Sequence, residues 1–188
     1  TNWLENDSVF ETKMKLLRDN NITVWRFHDY IHRHTPDMIR MGVITNLGWE
    51  KYYDPENPRV LNLPSATLKD LISHCKTRLG IKDLRIVGNL SQPCSKILLM
   101  PGASGGRSHI QALRQEQPDV LICGEVAEWE TSEYIRDARH QGENRSLIVL
   151  GHAQSEEPGM QWLVQWLQPK VSNIKITHVP SNNPFTFA

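Results

Sequence analysis

Apolar residues at Phe10, Met14 and Leu17 recur at helical spacing behind a capping residue, Asp7 or Ser8, and predict a helix to about Asn20. Residues 22–27 are β-branched and aromatic, which predicts a strand. Pro36 and Asp37 open a helical piece to about Met41. Short apolar runs at 60–63, 84–87, 97–100, 120–123 and 146–150 read as strands, and 173–179 as a last one. Between them, Leu68, Leu71, Ile72, Cys75 and Leu79 line one helix face after Ser65 or Thr67 as cap, and Gly80 stops that helix. Further helices are predicted at about 109–115, through Tyr134, Ile135 and Ala138 to Gly142, and at 158–167. Strands alternating with helices predict an α/β fold: one layered domain over 1–188, with a mixed, largely parallel sheet flanked by helices.

Composition narrows the classes. At 188 residues the chain can bury one sizeable core. Its 21 basic and 21 acidic residues cancel, so no global field draws it to nucleic acid or anionic lipid. No apolar run approaches the ~18 residues of a membrane span, and no signal-peptide pattern is present. Cys75, Cys94 and Cys123 are odd in number and widely spaced, which favours a reducing compartment and speaks against a thiolate zinc site. Cytoplasm is the expected location.

The candidate chemistry gathers at strand ends, where open α/β sheets keep their sites. Gly151-His152-Ala153-Gln154-Ser155-Glu156 follows the 146–150 run. Four-residue spacing puts His152 and Glu156 on one face if the turn is helical, a donor pair for a borderline-to-hard divalent metal. The plainer reading is a capping carboxylate beside a surface histidine. His28 and His32 repeat the spacing past the 22–27 segment, and three of the eight histidines fall within seven positions there. Glu125 and Glu128, past the 120–123 run, read either as groups that orient a water or move a proton, or as carboxylates favoured by a helix N-terminus. The glycine-rich 101–107 turn offers backbone N–H groups to an anion, or is a tight turn needing positive φ. His74, His109 and His140 carry no functional reading.

Two of these stretches, Gly124-Glu125-Val126-Ala127-Glu128 and Gly151-His152-Ala153-Gln154-Ser155-Glu156, resemble the Nif-three-like dinuclear metal-centre family, some of whose members are labelled GTP cyclohydrolase I type 2 homologues. Leu84-Arg85-Ile86-Val87-Gly88, the 101–107 turn and Pro184-Phe185 support the resemblance, which spans most of the chain. It implies that His152 and Glu156 bind metal. It also puts His32 at a position where the family has a ligand aspartate, and keeps the family's histidine at His28 as a ligand or its neighbour. The added nitrogen fits zinc, iron or nickel better than magnesium, one or two ions per chain. The family's further histidine motif has no counterpart here. The expectation is a chain N-terminally truncated relative to the family, with those ligands upstream of Thr1, or else a weaker, mononuclear or absent centre. The implied function is a divalent-metal-binding protein, a metal-dependent hydrolase of cyclohydrolase or phosphoesterase type acting on a nucleotide-like small molecule, with Glu125 and Glu128 as catalytic candidates. The alternative is a non-catalytic regulatory or interaction scaffold. Family resemblance also implies a homo-oligomer, a hexameric ring; no nucleic-acid or membrane partner is expected.

Overall fold

The apolar runs build one five-stranded sheet in the computed structural model, which describes residues 4–186. Its strands are β1 (Val60–Thr67), β2 (Arg85–Val87), β3 (Pro93–Met100), β4 (Val120–Cys123) and β5 (Ser146–Val149), in the spatial order β1-β3-β4-β5-β2. β3, β4 and β5 are mutually parallel, with Ile97 opposite Val120 and Val120 opposite Ser146. β1 and β2 close the two edges antiparallel. The sheet is therefore mixed with a parallel centre, and all three parallel strands end on the same side. β1 runs four residues past the expected 60–63, and its register slips between Asn62 and Ala66. Pro64 sits in that slip, as a residue without an N–H can on an edge strand.

Alternation along the strands sends side chains to two cores. Ile97, Leu99, Val120, Ile122 and Ile148 pack with Val43, Ile44, Leu47, Leu68, Leu71 and Cys75. These come from α3 (Met38–Leu47) and α4 (Leu68–Leu79). On the other face Leu98, Met100, Leu121, Cys123, Leu147 and Val149 pack with Leu113 of α5 (Gly106–Glu116) and Ile135 of α6 (Glu133–His140). Covering both faces is what makes the central strands uninterrupted apolar runs. α4 has both of its expected ends: Thr67 accepts from Asp70 N in a capping box, and Gly80 closes it at φ 67°. The three cysteines are buried free thiols, which burial pushes up to about 12 for Cys75 and Cys123 and about 11 for Cys94.

The described chain divides into two compact units, meeting in sequence between Tyr30 and Ile31. The first holds α1 (Ser8–Asp19), capped by Asp7 on Phe10 N, and α2 (His28–Arg33) begins within it. Residues 22–27 do not form the expected strand. Among the described residues they pair with no other strand, and Val24 and Trp25 are about 70% exposed (70% and 71%). Strand propensity records how well a residue fits a pleated, half-buried surface, and here there is none to fit. In the second unit, 173–179 is likewise not a strand: the Gln168 side-chain amide holds it instead, its Nε2 donating to Ile174 O and its Oε1 accepting from Ile176 N. Among the described residues no helix is long and apolar enough to cross a membrane.

The helix expected from Pro158 starts six residues earlier, as α7 (His152–Leu167), with Pro158 inside it. A proline there leaves the carbonyl of Gln154 without its helical donor. Packing on α3 compensates. The two helices touch backbone to backbone: a Cβ on Gly42 would collide with the Pro158 carbonyl, and one on Gly159 with Cα of Ile39. Gly42→Ala should therefore destabilise the second unit by about 1–3 kcal/mol through overpacking. Thermal denaturation should report a lower Tm, and an unchanged Tm would show that the crossing can spread at no cost.

His109 on α5 is fully buried, its Nδ1 3.1 Å from Thr131 Oγ1 and its Nε2 without a hydrogen-bond partner among the described residues. Burial lowers its pKa below the ordinary imidazole value. The unfolded chain therefore binds the extra proton first, and stability is lost as pH falls through about 6.5. Unfolding curves at about pH 7.5 and 5.5 should differ less for His109→Gln than for the natural chain; an equal difference would exclude His109 as the cause.

Candidate metal centre

The site is assembled by hydrogen bonds just beyond the parallel strand ends. Leu150 N donates to Cys123 O and Gly151 N to Gly124 O, both at 2.9 Å, so the β4–β5 pairing extends into the turns. Glu125 N donates to Gly102 O at 3.1 Å. Ser155, fully buried on the first turn of α7, accepts from Gly102 N at 2.9 Å and donates to His152 O at 2.8 Å. The turns after β3, β4 and β5 are thereby fixed to one another. Gly102 has φ 74°, and a Cβ there would strike Glu156 Oε1. Only glycine both adopts that conformation readily and lets the carboxylate lie against the turn.

His152 is the first residue of α7 and Glu156 lies one turn on, so the expected pairing across four residues is present: His152 Nε2 is 3.2 Å from Glu156 Oε1. The same oxygen lies 3.8 Å from His32 Nε2. Each ring has a carboxylate at its other nitrogen. Glu125 Oε2 is 2.9 Å from His152 Nδ1, and Asp37 Oδ2 is 3.7 Å from His32 Nδ1. Asp37 also caps α3 through Ile39 N and Arg40 N and stands 3.4 Å from Arg40 Nη2. Burial pulls the Arg40 guanidinium below its ordinary value, with Asp37 opposing. Among the described residues no three His, Cys, Asp or Glu side chains close round one point as a finished metal cage. The two nitrogen–oxygen edges that share Glu156 are what the fold supplies.

His28 belongs to the first unit, its Nδ1 2.9 Å from Asp29 Oδ1. Glu128 opens a π turn (Glu128–Ser132) and accepts from Arg85 Nη1 at 2.6 Å. At the glycine-rich turn, a Cβ on Gly106 would meet the Glu130 carboxylate, so the start of α5 already faces an anionic group. Asp37 and Ser155 were not singled out in the sequence. The one signal at Asp37 was its capping position, which a helix start explains without further function.

Beside His152 and Glu156 opens a cleft of about 880 Å³, whose wall includes Arg85, Glu125, Met160 and Phe185. The segment leading to Pro184 and Phe185 is tied to α7 by Ser181 N and Oγ, which donate to Glu157 Oε2 at 3.4 and 2.8 Å.

A family model described as Duf34/NIF3 (NGG1p interacting factor 3) matches residues 3–184. A protein of Clostridium perfringens named GTP cyclohydrolase 1 type 2 homolog is 29% identical over 101 residues, covering 53% of this chain and 36% of that protein. A Bacillus cereus protein related to NIF3 superposes with a TM-score of 0.58 at 23% identity, covering 69% of this chain and 35% of the other. Staphylococcus aureus protein SA1388 gives 0.56 at 24%, covering 69% and 41%. The two structures share the fold, and the matches span between 35% and 41% of these relatives' lengths.

Ser155→Ala should leave the buried Gly102 N–H without an acceptor, at a cost of about 1–3 kcal/mol. Urea unfolding reads this directly; a midpoint equal to that of the natural chain would mean the turns hold together without it.

Proposed function

Because this chain belongs to the Duf34/NIF3 (NGG1p interacting factor 3) family, we propose that His32, His152 and Glu156 hold a divalent metal ion and that the protein is a metal-dependent hydrolase. The observation that carries this reading is the pair of imidazole Nε2 atoms turned on one carboxylate oxygen, at 3.2 and 3.8 Å. With the Nδ1–H of His152 donated to Glu125, its Nε2 presents a lone pair to Glu156. Lone pairs turned on an anionic oxygen repel it unless a cation or proton lies between. Ligands of an ion bound at about 2.0–2.2 Å in a tetrahedral shell stand about 3.3–3.6 Å apart. The two separations bracket that value. Two nitrogens and one oxygen suit zinc, iron or nickel better than magnesium.

When bound, such an ion lowers the pKa of a water from ~15.7 to about 7 and polarises an electrophile. The chain's own residues do the rest. Glu125 fixes the tautomer and ring plane of His152, as carboxylates behind metal-ligating histidines do. It is about half exposed (52%) on the cleft wall, where it can also orient a water or accept a proton. Asp37, at the cap of α3, stands 3.7 Å from His32 Nδ1, which places a negative charge behind that ring without a hydrogen bond to it. Glu128 holds Arg85 on the cleft wall. The substrate is a small, nucleotide-like molecule admitted through the cleft. The name of the Clostridium perfringens relative supports the cyclohydrolase type of reaction.

Elemental analysis tests this. Zinc, iron or nickel should co-purify near stoichiometry and fall to background in His152→Ala and Glu156→Ala. Glu125→Gln should weaken metal binding about 10–100-fold, and Glu128→Ala should leave it unchanged. Full metal occupancy in His152→Ala would overturn the ligand assignment.

A further inference from the structure

The charge of the cleft selects among the substrates the proposed centre could serve. Its wall carries four carboxylates, Asp83, Glu125, Glu156 and Glu157, against one guanidinium, Arg85. That guanidinium is already engaged, with Glu128 at 2.6 Å. Glu157 is occupied on the tail side, by His178 at 2.5 Å and by Ser181. Phosphate recognition calls for arginine, lysine or a helix N-terminus free to donate. On α7 the Glu156 carboxylate lies 3.2 Å from the His152 ring at the helix start, and the Glu130 carboxylate lies against Gly106 at the start of α5. With a divalent ion in place the wall still carries four negative charges against three positive, so a nucleotide's phosphates would enter a region of net like charge.

The apolar part of the wall points the other way. Val126, Val149, Met160 and Phe185 border the cleft, and Met160 and Phe185 remain 43% and 74% exposed. A thioether and a ring left open beside amides such as Gln154 and Asn183 suit a planar heterocycle. The ring covers the apolar groups while its N–H and C=O edge meets the amides and carboxylates. The volume, about 880 Å³, is ample for a nucleoside.

We infer that the cleft binds an uncharged, nucleoside-like heterocycle without phosphate groups, held against Phe185 and Met160, and that its carboxylates exclude the phosphorylated forms. This rests on reading the cleft as the substrate site of the metal centre proposed above. It favours hydrolysis at a ring carbon over phosphoester cleavage.

Guanosine and GTP make a matched neutral and anionic pair of probes for the full chain. Calorimetric titration is run on chelator-treated protein, where no ion can attract the triphosphate, and the metal content of the untreated batch is measured separately. Guanosine should bind at least about tenfold more tightly than GTP. Phe185→Ala should weaken guanosine several-fold while keeping the metal content of the natural chain, and Asp83→Asn should narrow the guanosine–GTP gap. GTP binding as tightly as guanosine to the metal-free protein would overturn the inference, and so would the absence of guanosine binding at millimolar concentration. Failure of the metal centre would appear instead in the elemental analysis, with the guanosine preference intact.

Discussion

The contact on which the second unit depends is the crossing of α3 and α7, where neither backbone tolerates a Cβ. Gly42 lies on the Pro158 carbonyl and Gly159 on Cα of Ile39. Side chains at the contact normally keep packed helices 8–10 Å apart; removing them lets the helices touch. The donors sit near the helix starts. Asp37 caps α3, His32 precedes it by a short turn, and His152 and Glu156 open α7. Across this region His32 Nε2 lies 3.8 Å from Glu156 Oε1. The crossing also stabilises a helix whose internal Pro158 deprives it of one hydrogen bond.

The sheet supplies the other half of the frame. Three parallel strands end together, and their turns are joined by backbone donors and one buried hydroxyl, Ser155. Ser155 acts on both sides of the junction, accepting from the β3 turn and donating within α7. Gly102 completes it by leaving room for the Glu156 carboxylate. His152 and Glu156 thus rest on an element held by the core rather than on a free loop.

Electrostatics gives the region its chemical character. Carboxylates stand behind both imidazoles and along the cleft, while the cations nearby, Arg85 and Arg40, are each engaged by a carboxylate of their own. Anionic side chains therefore predominate around the two imidazoles. The buried thiols, pushed to about 11–12, take no part in it.

Much of this was determined by the sequence alone. The apolar runs at 97–100, 120–123 and 146–150 specify central strands because both faces must be buried, and the cap at Thr67 and stop at Gly80 define α4 locally. The pairing of His152 with Glu156 follows from four-residue spacing once the turn is helical. The long-range choices were made only in the tertiary structure. Residues 22–27 and 173–179 have strand composition, but a strand requires a partner edge, which composition does not record. Spacing placed a helix over 158–167, whereas α7 begins at His152 and carries Pro158 inside it, packed against Gly42. Asp37 looked like a cap and nothing more. Its place behind His32, like that of Glu125 behind His152, depends on elements far apart in the chain being packed together, and spacing along a sequence carries no information about that distance.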